Sequence, residues 1–210
     1  MKTLDAAEIA ALSARSVEVR WLMWITAKTR DTGEPASVGF WNDLGARAFQ
    51  VIDPLTGSTV SRTFYGSGSL ITIGELVQSA DLTINGVTID LSAIDARVEQ
   101  TLRGYDPRLA PVQIYRLLLD KDTMNPVHAA RSVFVGMVDL APITTPAAGG
   151  EGSAQLTLVS QIAELTRSNP AMRSHESQQD RAPGDDFYKR VHQMTKRTIF
   201  WGREKGKIKK

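Results

Sequence analysis

Residues 17–27 read VEVRWLMWITA, and this stretch restricts the fold more than any other in the chain. Val17, Val19, Trp21 and Met23 fall on one face of an extended chain, and Glu18, Arg20 and Leu22 on the other. A period of two, rich in β-branched and aromatic residues, is the pattern of a half-buried strand. The pattern recurs. VGFW (38–41) predicts a second short strand, and VSRTFYGSGSLITIG (60–74) two extended pieces with a glycine break. VQIYRLLLD (112–120) and HAARSVFVGMVDLAPI (128–143) predict two longer strands, the second with a bulge at Gly136. Leu156 and Leu158 alternate with Gln155 and Thr157, and Ile162 to Leu165 extend that strand. Asn85-Gly86 stands between Leu82-Thr83-Ile84 and Val87-Thr88-Ile89, the signal of a hairpin with a type I′ turn.

Three segments carry the other period. Leu4, Ile9 and Leu12 share a side of a short N-terminal helix. Leu91, Ile94, Val98 and Leu102 follow helical spacing, with Ser92 as cap and Gly104 and Pro107 as stop. A last helix over 185–196, capped by Asp185 or Asp186, carries Phe187, Val191 and Met194, and leads into a short aromatic strand at Thr198 to Trp201. Turn residues in TRDTGEPAS (29–37) and DPLTGS (53–58) separate the early strands, and TPAAGGEG (145–152) reads as a flexible loop. The resulting fold class is mainly β, a sandwich or barrel with an N-terminal helix, an inserted helix and a C-terminal helix-strand arm. The division is a β-rich body over 1–167, with two intertwined subdomains as one form, and an extended arm over 168–210. The arm opens with the polar run SNPAMRSHESQQDRAPGDD, which is not core material.

Composition removes several function classes. The 210 residues include no cysteine, which excludes disulfides, thiolate metal sites and a cysteine nucleophile. The net charge of +2 resides in the last nine residues, GREKGKIKK, with five Lys or Arg and one Glu. The remaining 201 residues hold 20 basic and 22 acidic side chains, a balance of −2. A nucleic-acid partner is therefore not expected, since the folded part has no basic excess. No run of about 18 apolar residues is present. The start carries Asp5 and Glu8 and lacks the apolar core of a signal peptide. The chain is expected to be soluble, off the membrane and made in the cytoplasm.

No catalytic constellation emerges, and the expectation is a protein that is not an enzyme, without cofactor or small-molecule substrate. His128, His175 and His192 are isolated, whereas a metal site needs three or four converging ligands. YGSGSL (65–70) lacks the third glycine of a dinucleotide fingerprint and the lysine of a P-loop. Asp90 with Asp95, or Asp120 with Asp122, are carboxylate pairs of the kind found on solvated turns, and an ion in the second loop stays open.

One segment is more specific. MRSHESQQDRAPGDDFYKRVHQMTKRTIFWG (172–202) resembles the end of tail-tip, or baseplate hub, proteins of lambda-like long-tailed phages. The pattern is an arginine opening a polar run with Ser-Gln, a Gly-Asp-Asp-Phe helix start, and a closing aromatic-Trp-Gly piece. Arg173, Ser177, Gln178, Asp185, Asp186, Phe187, Trp201 and Gly202 take those places. The resemblance implies a virion structural protein at the distal end of the tail, made in the host bacterial cytoplasm. It would join the distal tail protein of the tube ring to the central tip protein, as a homo-oligomer, a trimer being favoured. Some relatives hold a cysteine-ligated iron–sulfur cluster, which a chain without cysteine does not carry over. With the polar arm reaching outward, Arg173, Phe187, Tyr188, Val191, Phe200 and Trp201 become the expected inter-subunit anchor. The competing readings are a wall-degrading domain of the same particle and an assembly factor absent from the finished virion.

Overall fold

A computed structural model describes residues 4–14, 17–67, 71–77, 83–92, 98, 100–144, 153–168 and 171–194. The chain divides into two compact units, Met1–Thr166 and Arg167–Lys210. The mainly β class is borne out.

The first unit begins with α1 (Ala6–Ala14). The strands follow in chain order: β1 (Val17–Thr29), β2 (Pro35–Trp41), β3 (Leu44–Ile52), β4 (Thr59–Ser67), β5 (Ile71–Ile73), β6 (Gly86–Ser92), β7 (Tyr105–Asp106), β8 (Pro111–Asp120), β9 (Ala130–Leu140), β10 (Ile143–Thr144) and β11 (Ser153–Ser160). They form one sheet in the order β3-β4-β2-β1-β8-β9-β11-β6-β5. A further pairing closes part of it. Val51 and Ile52 of β3 run parallel to Ala130 and Arg131 of β9. Strands β3, β4, β2, β1, β8 and β9 are thus a closed six-stranded barrel, and closure leaves that ring without a long free edge.

Each of the six strands sends side chains into the barrel. Leu22, Trp41, Phe49, Val51, Phe64, Tyr115, Leu117, Leu119 and Ala130 form its core. Trp24 meets Phe64 edge-on with centroids 5.6 Å apart, and Trp41 meets Phe49 the same way at 5.1 Å. A second core lies on the outer face of the same strands. Met23, Ile25 and Ala27 of β1, Phe40 of β2, and Val112 and Ile114 of β8 pack with Val87, Ile89 and Leu91 of β6 and Ala154, Leu156 and Leu158 of β11. β1 and β8 are therefore buried on both faces. Leu22, on the face it shares with Glu18 and Arg20, belongs to the barrel core.

The barrel is tightest where β2 meets β4. These strands pair in parallel only at Phe40 with Tyr65 and Trp41 with Gly66. A Cβ on Gly66 would lie 1.8 Å from the Asp43 carbonyl oxygen and 2.5 Å from Trp41 Nε1. Only glycine permits that approach. The Trp41 indole N–H donates to the Gly45 carbonyl at 2.8 Å and pins the corner.

Other expectations are corrected. Asn85-Gly86 does not turn a hairpin. Thr83 to Asn85 are not strand, and Gly86 opens β6, which pairs with β11 and β5. β9 is irregular not at Gly136 but at Val133, since Ile114 pairs with Phe134 and Tyr115 with Ser132, and at Asp139, since Thr157 pairs with Leu140 and Leu158 with Val138. Gly136 has a different reason for being glycine: a Cβ there would stand 2.2 Å from the Val159 carbonyl oxygen. Residues Gln161–Thr166 are a 3-10 helix and do not extend β11. Of the inserted helix, Gln100–Gly104 is a single π-helical turn, while 93–97 and 99 lie outside the described residues. The loop at 145–152 also lies outside them. Leu44–Ile52, left without a strand by the alternation reading, is the nine-residue β3.

Candidate functional site

In the second unit the polar run folds on itself. Ser174 has extended backbone (φ −117°, ψ 160°), and its hydroxyl oxygen accepts from the Ser177 N–H at 3.2 Å. It caps a helix, α2 (His175–Arg181), with Glu176 in the first turn and Arg181 in the last, both signs favoured by the helix dipole. The chain leaves α2 through Ala182, Pro183 and Gly184, the last at φ +91°, a conformation that favours glycine. The polar run expected to be an extended arm thus includes a capped helix.

Two adjacent glutamines of α2 organise the turn beyond Gly184. The buried Gln178 donates its amide N–H to an Asp185 carboxylate oxygen and accepts from the Arg181 guanidinium at 2.7 Å. Gln179 donates to the Asp185 carbonyl at 2.9 Å and accepts from the Gly184 N–H at 2.8 Å. The other Asp185 oxygen accepts from the Phe187 N–H at 2.9 Å. That backbone bond, followed by the Gln178 amide, holds the Asp185 carboxyl below the usual carboxylate range. Lys189 does the same for Asp186, bonding its carboxylate at 2.8 Å. The helix expected over 185–196 is shorter than its spacing suggests. Turns link Lys189 to Asp186 and Val191 to Tyr188, and among the described residues of this stretch only Val191–Met194 (α3) is helical, 195 and 196 lying outside them.

This polar knot presents an apolar pair. Phe187 is 77% exposed and meets Tyr188 edge-on with ring centroids 4.9 Å apart. Val191 is also exposed, and its N–H donates to the Tyr188 carbonyl at 3.1 Å. Arg173 is exposed, directly before the Ser174 cap. Four of the expected anchor residues therefore belong to this unit and are at least partly accessible, while Phe200 and Trp201 lie outside the described residues. Gln179, Gly184 and Arg181 escaped sequence reasoning as organisers. The available signal was a pair of glutamines five and six residues before Gly184 of Gly-Asp-Asp.

A second polar cluster sits in the barrel. The Arg62 guanidinium donates to Gln113 Oε1 at 2.6 Å and to the Tyr115 hydroxyl at 2.8 Å, and lies 3.4 Å from Asp53 Oδ2. It stacks over Trp24 at 4.9 Å. Burial, opposed by the nearby Arg62 charge, pushes the Tyr115 phenol up to about 12. A phenol held neutral and hydrogen-bonded to Gln113 is a packing element at neutral pH, not a base. Of the carboxylate pairs, Asp90 accepts from Gln155, Asp120 closes its own turn through Thr123, and Asp95 lies outside the described residues. Among the described residues no group of three or more His, Asp or Glu is placed to hold a metal ion. Among them, too, no helix is long and apolar enough to cross a membrane.

No protein-family model matches the chain, and no curated protein does. Nine solved chains match it. One comes from the cryo-EM structure of the anti-feeding prophage (AFP) baseplate, 6-fold symmetrised. It is 11% identical, and the match covers 77% of this chain and 94% of that chain with a TM-score of 0.29. A likeness of that size carries neither fold nor function to this chain.

Proposed function

We propose that this chain is a structural subunit of a phage tail tip or baseplate hub, joining the distal ring of the tail tube to the central tip protein. One observation carries the reading. The residues that give the C-terminal segment its resemblance to such proteins bond to one another, Gln178 to Asp185 and Asp185 to Phe187, and hold Phe187 out beside Tyr188. Such an arrangement suits a docking element better than a substrate cleft. In this reading the body over 1–167 forms the ring, as a homotrimer. The arm over 168–210 anchors each copy on its neighbour through Arg173, Phe187, Tyr188, Val191, Phe200 and Trp201.

Burying the Phe187 side chain contributes about 2–3 kcal/mol per copy at ~25 cal/mol per Å² of apolar area. A closed ring applies that gain at each interface. The test is made on particles of the source phage. Mass spectrometry and gold-labelled antibody are expected to find the chain at the distal tail end in a few copies. Deleting residues 185–210 is expected to lower the yield of tails. A chain absent from finished particles would overturn the structural role and favour an assembly factor. Normal tail yield from the deletion would overturn the anchor while leaving the location standing.

A further inference from the structure

The N-terminal helix is attached to the body in an unusual way. Its one buried residue is a charged one, Glu8, at 3% exposure, while Leu4, Ile9 and Leu12 remain 39%, 51% and 40% exposed. Amphipathic helices on a globular body normally bury the apolar stripe. A nine-residue helix is also too short to hold itself together in water. Its attachment therefore draws on polar contacts, most of them made by one carboxylate.

Glu8 meets the Arg131 guanidinium in a forked pair, with Nε at 3.0 and 2.8 Å from the two oxygens and a terminal nitrogen at 2.7 Å. The same Glu8 reaches back to accept from the Asp5 N–H at 3.0 Å, half of a capping box at the helix start. Asp5 in turn stands 3.2 Å from His128. Both His128 and Arg131 belong to the entry of β9, the strand that closes the barrel against β3. One side chain thus both caps α1 and docks it.

We infer that α1 is a releasable clasp: a two-state element, either folded and docked through Glu8–Arg131 or undocked and unwound, with the barrel intact in both states. Release would uncover the Arg131 guanidinium and the His128 side chain at the barrel closure. Local opening of this kind, with few apolar contacts, belongs to the low-stability end of a folded protein.

Hydrogen–deuterium exchange on the full chain tests it. In Glu8→Gln, amides of α1 are expected to exchange at least about tenfold faster, with β1 and β8 unchanged. Arg131→Gln, which spares the cap and breaks the dock, is expected to act in the same direction. Leu12→Ala, which trims only apolar contact, is expected to stay within about twofold of the parent. Unchanged α1 exchange in both charge variants would overturn the inference. So would equal release by Leu12→Ala, or faster exchange in β1 and β8 alongside α1.

Discussion

Arg62→Met removes the guanidinium at the centre of the barrel cluster, the group that lies over Trp24, while keeping an unbranched apolar side chain. The arginine makes two short hydrogen bonds, to Gln113 and Tyr115, and a longer contact to Asp53. Bonds from a charged donor contribute about 1.5–3 kcal/mol each. Stacking over Trp24 adds about 0.5–2 kcal/mol. Against this stands the desolvation of a guanidinium left only 15% exposed, whose removal is favourable. Asp53 keeps the Leu55 N–H at 3.0 Å, so it is not left wholly unpartnered. The balance is a loss of about 2–4 kcal/mol, with a charged pair in the bonding set placing it above a neutral truncation.

Urea unfolding followed by tryptophan fluorescence measures the loss, because Trp24 lies against the altered residue. With a slope near ~2 kcal/mol per molar, the midpoint is expected to fall by about 1–2 M at unchanged slope. Tyr115→Phe keeps the ring and removes one hydroxyl, so it is expected to cost about 1 kcal/mol. The double variant is expected to lose less than the sum, because the two side chains share a hydrogen bond. A midpoint shift below about 0.3 M for Arg62→Met, or strict additivity with Tyr115→Phe, would refute the claim that this cluster ties β4 to β8.

Two further outcomes are expected. Tyr115 has a folded pKa of about 12 against an ordinary value of 10.0, so its contribution to stability is complete below pH 10 and declines as pH rises toward 12. Alkaline unfolding should therefore steepen in that window, by no more than about 3 kcal/mol in total, and Tyr115→Phe should flatten it. Gly66→Ala places a methyl against the Asp43 carbonyl at 1.8 Å, and is expected to abolish soluble folded protein; a cooperative melt near that of the parent would show that the β2–β4 junction has slack.

Sequence alternation exposed the strands that carry large side chains and hid those that do not. β8 and β9 were legible because VQIYRLLLD and SVFVGMV have no competing helical reading. β3 was not. Ala46 and Ala48 give it little alternation, and its state is set by nine residues of pairing with β4. At Asn85-Gly86 the local turn preference was real but outweighed. Gly86 pairs with Val159, and the Asn85 carbonyl accepts from the Ser160 N–H at 3.0 Å. Continuous apolarity from Trp21 to Ile25 was the sign that β1 has two buried faces, a tertiary property that a two-colour pattern understates. The C-terminal residues were singled out by the spacing of their apolar side chains and by resemblance. Their joint role depends on Gln178 and Gln179 reaching six to seven residues forward, which no periodicity encodes.

Exposure of Phe187 is informative because of the groups around it. A lone exposed apolar side chain is ordinary. Here the residue comes after a turn whose polar groups are matched one to another: Gly184 N–H with Gln179, the Asp185 carboxylate with Gln178 and Phe187, and Asp186 with Lys189. Ordering glutamine and lysine side chains costs conformational entropy, on the order of 1.5–2 kcal/mol each when fully fixed. Surface ion pairs such as Asp186–Lys189 return little of it. A network of this size that leaves an aromatic pair facing outward gains little for the isolated unit. The gain comes when the aromatic pair is covered, since a loop already fixed loses less freedom on binding. That asymmetry between what orders the turn and what the turn displays is the physical reason for proposing it as a docking element.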